Sequence, residues 1–243
     1  MPRRQHSIFN RIRPYHIVAQ ANAGRIIFAD NEDRSRFILQ MYATNIGKPG
    51  TNLYRKDVED LSQAILKEGR IPIGVVEKEH APLVDIFSFA LGKDEYHLGL
   101  VPRSTNGLSR YMQKLNIGYA KYYNAKYVRK GTLFQNRFKG ELVHTPEQLA
   151  ELISYINVRK ILDLKDPQWQ KRGVKSTQSL LEFFQEYPFS SFQDLFAGRN
   201  SCLVSEQSRK HLRGVLGKDF FIRGTYLKAV NDYLQGHEKH AFI

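Results

Sequence analysis

The apolar positions along the chain switch between two spacings, and the switches mark its elements. Ile12–Ala19 alternates as a strand with His16 inside it, and Ala23–Gly24 follows as a turn. Phe37, Ile38, Met41 and Tyr42 recur at helical spacing and predict a helix through Asn45, capped by Asn31 or Asp33. Gly47–Gly50 (GKPG) breaks that pattern. Val58, Leu61, Ile65 and Leu66 predict a short helix over Asp57–Glu68, and Ile71–Val76 reads as a strand or a buried loop. Leu83–Leu91 and Glu95–Val101 read as the two strands of a hairpin turning at Gly92–Lys93.

The second half reads as mostly helical. Leu108, Tyr111, Met112, Leu115, Tyr119 and Tyr122 form the apolar stripe of a helix over Ser104–Tyr127. Thr132–Val143 reads as extended or irregular. Thr145 followed by Pro146 opens a helix to about Leu162, with Leu149, Leu152, Ile153 and Ile156 on its buried face. Lys175–Glu186 reads as helix, Tyr187–Phe192 as an aromatic stop, and Ser205–Gly236 as two or three short helices. The order β-α-β-β-α followed by helices predicts an α+β fold, a small antiparallel sheet covered by helices.

Composition narrows the class. The 243 residues suit one large domain, or one domain with an appendage. A lone cysteine, Cys202, excludes a disulfide framework and a cysteine-rich zinc site. No apolar run approaches the roughly 18 residues of a membrane span. The basic N-terminal stretch lacks the continuous apolar segment of a signal peptide. The expected compartment is a reducing cytoplasm, and the net charge of +13 calls for a polyanionic partner.

The placement of that charge is more telling than its sum. Arg103–Gly140 holds nine basic residues and no acid in 38 positions, where about four acids are expected from the chain average. Arg103, Arg110, Lys114, Lys121, Arg129, Lys130, Arg137 and Lys139 are candidate phosphate contacts, with counterion release as the driving term. Tyr111, Tyr119, Tyr122, Tyr123 and Tyr127 are interleaved with them. They read either as faces on which unpaired bases stack or as the buried side of an amphipathic helix.

Two further groups suggest chemistry. On a strand, Glu95 and His97 project to one face while Tyr96, Leu98 and Leu100 project to the other. A carboxylate beside an imidazole suits Mg²⁺, Mn²⁺ or Zn²⁺, although such a pair is also common on a solvated strand face. His16 is either a third ligand or a satisfied core histidine. Tyr155 lies at the border of an apolar helical stripe, as an amphipathic tyrosine or as a nucleophile.

These features also carry a family resemblance. GLSRYMQKLNIGYAKYYNAKYVRKGTLFQNRFKG (Gly107–Gly140) resembles the core of the REP-associated tyrosine transposases, relatives of the single-strand transposases of the HUH endonuclease superfamily. PYHIVAQANAGRIIFADNEDRSRF (Pro14–Phe37) looks like the family's first strand, turn and helix. IFSFALGKDEYHLGLVP (Ile86–Pro102) falls where the family carries a His-x-His strand. ELISYINVRKILDL (Glu151–Leu164) looks like the helix bearing its tyrosine, and YPFSSFQDLF (Tyr187–Phe196) like its trailing Ser-Ser motif. The likeness covers Pro14–Phe196, with an insertion at about 47–82. It implies a transposase-like domain over 1–198 and a helical extension over 199–243.

The resemblance implies a chemistry as well. Tyr155 would attack a phosphodiester of single-stranded or hairpin DNA, giving a 5′-phosphotyrosine link and a free 3′-hydroxyl. Glu95 and His97 would hold a divalent cation, Mg²⁺ or Mn²⁺. Two positions depart from the family pattern: Glu95 stands where histidine is usual, and Arg159-Lys160 stand where Asn-Pro is usual, with Asn157 as an alternative ligand. The leading expectation is a metal-dependent single-strand DNA endonuclease and strand transferase, monomeric or homodimeric. The alternatives are a catalytically silent hairpin-DNA binder, favoured by the two departures, and an RNA-binding protein.

Overall fold

In the computed structural model the described residues are 13–49, 57–69, 76–135, 137–173, 177–222 and 226. From the N-terminus they run β1 (Tyr15–Gln20), α1 (Asn31–Ile46), β2 (Gly47–Pro49), α2 (Val58–Gln63), β3 (Val76–Glu79), β4 (Val84–Leu91), β5 (Glu95–Pro102), α3 (Gly107–Lys126) and β6 (Lys139–Leu142). There follow α4 (Pro146–Ser154), α5 (Lys160–Lys165), α6 (Trp169–Arg172), α7 (Thr177–Glu186), α8 (Phe192–Phe196) and α9 (Glu206–Leu216). The fold is α+β: a four-stranded antiparallel sheet in the order β4-β5-β1-β6, covered by helices, with a separate β2-β3 pair.

The pleat of the sheet separates two environments. Ile17, Tyr96 and Leu98 point to one face, where they are fully buried. That face packs on α1 and α3, with the Phe37 ring 4.6 Å from Tyr96 and 4.9 Å from Tyr119. The opposite face carries His16, Glu95 and His97. In the pairing of β1 with β5, Val18 lies opposite His97 and His16 opposite Gly99, so the two histidines are diagonal neighbours. The Gly99 position is filled by a neighbour, since a Cβ there would meet the Phe87 ring at 2.4 Å.

Several expectations are sharpened or corrected. The cap of α1 is Asp30, not Asn31 or Asp33: its carboxylate accepts from the Asp33 N–H at 2.8 Å. Asp33 is instead buried in the first helical turn. The stretch expected as extended or irregular contains β6, which pairs with β1 as an edge strand. In the insertion, α2 continues as a widened turn over Ala64–Glu68. Most of the Ile71–Val76 run lies outside the described residues, and β3 begins at its last residue. Of the C-terminal extension, Leu212 and Val215 are buried in the same apolar cluster as the sheet, and Tyr226 stacks on Phe196 at 3.5 Å. Residues 227–243 lie outside the described residues. Among the described residues no helix is long and apolar enough to cross a membrane.

Candidate functional site

The polar face of the sheet meets the helical segment after Thr145. Thr145 caps α4 by accepting from the Gln148 N–H at 3.2 Å, and Pro146 fixes its first turn. After Ser154 the helix widens into a π-turn, Tyr155–Arg159, closed by the Lys160 N–H donating to the Tyr155 carbonyl. The extra residue matters. In a regular helix the fourth residue on, Arg159, would follow Tyr155 on its face; here the fifth, Lys160, joins it.

Tyr155 therefore stands over the sheet. Its ring is edge-on to His16 at 5.7 Å and to His97 at 5.6 Å between ring centres. Lys160 Nζ lies 5.3 Å and the Arg159 guanidinium 5.5 Å from its centre. His16 Nε2 lies 3.0 Å from His97 Nδ1. His97 Nε2 lies 3.1 Å from Glu95 Oε1, off the line of a hydrogen bond, and Lys160 Nζ donates to the same oxygen at 2.8 Å. The sequence-based site residues Glu95, His97 and Tyr155 are thus brought together, with His16 and Lys160 added.

Burial and charge set the protonation of this group. Burial, reinforced by His97 and Lys160, pushes the His16 pKa down to about 3. Burial also lowers His97, against the pull of Glu95, so both rings are neutral at neutral pH. Burial works against the charge on Glu95, but its contacts with His97 and Lys160 outweigh it and hold the carboxyl below the usual range. Because His97 is neutral, Lys160 is the partner that does this at neutral pH. Lys160 loses by burial and gains more from Glu95 and Tyr155, which raises its pKa. One of the two neutral rings donates to the other across the His16 Nε2–His97 Nδ1 contact, and His97 Nε2 lies beside the Glu95 carboxylate without a hydrogen bond.

The donors fit a divalent cation in spacing but not in occupancy. Octahedral ligands at about 2.1 Å from an ion sit about 3 Å apart, and Glu95 Oε1 and His97 Nε2 have that separation. That oxygen already carries the Lys160 ammonium, which an ion at this edge would have to displace. His16 is turned to His97 Nδ1. Among the described residues no group of three or more His, Cys, Asp or Glu side chains is placed to hold a metal. The cation that the resemblance implies does not fit this arrangement.

Asn157, the alternative ligand, is fully buried and turned away from the site. Its Nδ2 donates to Ser88 Oγ and to the Ile153 carbonyl, both at 2.9 Å, and its Oδ1 accepts from Ser191 Oγ at 2.7 Å. Ser191 Oγ in turn accepts from the Phe89 N–H at 2.9 Å. The Ser-Ser motif thus ties the tyrosine helix to β4. Sequence reasoning missed Lys160. The hydrophobic pattern carried no signal for it: polar Asn157 interrupts the apolar run, and only the fold shows Ile156, Asn157 and Val158 buried in succession, more than one face of a regular helix hides.

The basic stretch divides into committed and exposed cations. Arg103 donates twice to Asp85 Oδ1, at 3.0 and 2.6 Å. Lys114 Nζ donates to the Gly47 carbonyl at 3.3 Å, and Arg129 to Asn124 Oδ1 at 3.1 Å. Lys126 is held by Asp30, Glu32 and Asp33. Arg110, Lys121, Lys130, Arg137 and Lys139 are exposed and have no ion pair among the described residues. Four of the interleaved tyrosines are not stacking faces. Tyr111, Tyr119, Tyr122 and Tyr123 are buried, and their hydroxyls donate to Met41, Ile27, Asp33 and Ile26 oxygens. Half-buried Tyr127 is likewise anchored to Asp33. A cavity of about 660 Å³ opens between α3 and the following loop, lined by Met112, Asn116, Ile117, Phe134, Arg137 and Phe138. The cavity lies on α3, on one face of the sheet, and Tyr155 stands over the other, beside His16 and His97.

No family model and no curated protein sequence matches the chain. Among solved structures, one of a REP-associated tyrosine transposase bound to a REP hairpin is similar, with a TM-score of 0.41 and 11% identity over 76% of this chain and 79% of the other.

Proposed function

We propose that the chain is a DNA strand transferase for single-stranded, hairpin-bearing DNA, with Tyr155 as its nucleophile. The observation that carries this reading is the setting of Tyr155, edge-on to two neutral histidines and flanked by two cationic side chains. The resemblance of five ordered motifs supports the same chemistry. In the reaction, Tyr155 Oη bonds to phosphorus as the P–O3′ bond breaks. The phenol loses its proton and the leaving 3′-oxygen gains one, so one phosphodiester replaces another and no co-reactant is consumed. Lys160 and Arg159 face the charge that builds on the non-bridging oxygens. Arg110, Lys121, Lys130, Arg137 and Lys139 hold the DNA backbone by counterion release.

A second reading, hairpin-DNA binding without catalysis, is favoured by the Lys160–Glu95 contact, which occupies the carboxylate oxygen beside His97. Incubation with end-labelled single-stranded hairpin DNA, followed by a denaturing protein gel, separates the two. A labelled protein band that is absent in Tyr155→Phe is expected from the transferase. A native-gel shift with no covalent band on a cleavable library would leave only the binder.

A further inference from the structure

A phosphodiester brought to Tyr155 needs positive charge beside its non-bridging oxygens as the new bond forms. Two side chains of the chain already stand there. Lys160 lies on Glu95 and over the phenol ring. The Arg159 guanidinium lies over the same ring, and its Nε is buried with no acceptor among the described residues. Building on the strand-transferase reading, we propose that Lys160 and Arg159 take the place of a divalent cation, and that this site handles its phosphodiester without metal.

Lys160 is shared between two carboxylates, with Glu95 Oε1 at 2.8 Å and Asp163 Oδ2 at 3.6 Å, so with Arg159 the four side chains are balanced without a metal ion. The geometry agrees. The 3.1 Å edge between Glu95 Oε1 and His97 Nε2 is the edge a metal would bridge, and the Lys160 ammonium sits on its oxygen end. A second cation at that edge meets an ammonium at close range in a part-buried site, where like charges are poorly screened. The backbone agrees too, because the π-turn is what delivers Lys160 to the face of Tyr155 while keeping Arg159 within reach of the ring. Lys160 and Arg159 remain protonated throughout the exchange of the P–O3′ bond for the Tyr155 Oη–P bond, and donate N–H groups to the phosphate.

Mn²⁺ titrated into the protein without DNA, with free Mn²⁺ read by electron paramagnetic resonance, tests the cation site apart from activity. Wild type and Lys160→Arg should leave the free-ion signal unchanged. Lys160→Met should bind Mn²⁺ at least about tenfold more tightly than wild type, and Glu95→Gln in that background should abolish the gain. A circular-dichroism melt reports folding of each variant. Stoichiometric Mn²⁺ binding by the wild type, lost in Glu95→Gln, overturns the inference. So does a Tyr155 adduct that forms with Mn²⁺ and disappears in EDTA; the expected adduct persists in EDTA and weakens in Lys160→Met. If no adduct forms under any condition, the strand-transferase reading fails, while the Mn²⁺ titration still decides whether Lys160 excludes the metal.

Discussion

His16 and His97 meet diagonally across β1 and β5, with His16 Nε2 3.0 Å from His97 Nδ1 and the two rings stacked at 5.3 Å. Two imidazoles this close and this buried are stable together only while both are neutral. One then donates to the other, and the pair fixes the orientation of His97 against Glu95.

Acid should therefore weaken the fold earlier than usual. Above the ordinary histidine pKa of 6.5 both folded and unfolded chains hold neutral histidines. Below it the unfolded chain takes up a proton that folded His16 refuses until about pH 3, so stability falls as pH falls across that window. His97 acts in the same direction, and Glu95 adds its loss below the ordinary glutamate value of 4.5. For His16 alone the loss between pH 6.5 and pH 5 is about 2 kcal/mol. Urea denaturation at pH 7, 6 and 5 should show it, and His16→Asn should flatten that limb. A stability independent of pH over this range would contradict the neutral pair.

Asn157 should behave as a structural residue. Asn157→Ala removes three hydrogen bonds from a dry site and leaves the buried Ser88 and Ser191 hydroxyls short of a partner. The expected loss is about 2–3 kcal/mol by denaturant titration. DNA affinity measured well below the melting temperature should change little, because Asn157 does not face the site.

Lys126 belongs to the fold and not to the DNA surface. Asp33 has no solvent exposure, and its carboxylate is held by Lys126 together with the Tyr122 and Tyr127 hydroxyls. Lys126→Met leaves a buried carboxylate without its cation, at a cost of about 3 kcal/mol. Thermal denaturation should show this loss, and the log–log salt slope of DNA binding should be unchanged.

DNA binding should follow the exposed cations. Single Ala substitutions at Lys121, Lys130, Arg137 and Lys139 should each weaken hairpin binding and lower the salt slope by about 1 where the side chain meets a phosphate. Arg103→Ala should have a smaller effect, since its guanidinium is engaged by Asp85. Tyr119→Phe should cost about 1 kcal/mol of stability through the lost bond to Ile27 and leave affinity intact. Fluorescence anisotropy at several salt concentrations measures all of these.

The sequence by itself carried the elements and their order. The hairpin of β4 and β5, the long basic helix and the Pro146-initiated helix follow from local spacing and caps, which a single chain segment expresses on its own. The alternation along β5 also placed Glu95 and His97 on one face, because the strand period needs no partner. Tertiary structure decided the rest. Which face of α3 is buried determined that Tyr119, Tyr122 and Tyr123 pack inside, while Lys121 stays outside. The pairing of β1 with β5 brought His16 to His97 across most of the sheet's sequence separation. The π-turn moved Lys160 onto Glu95 and Asn157 onto Ser191, and hydrophobic periodicity does not encode a one-residue change of helical register. The elements are local in origin, whereas the charge and occupancy of the site depend on contacts between residues far apart in the chain.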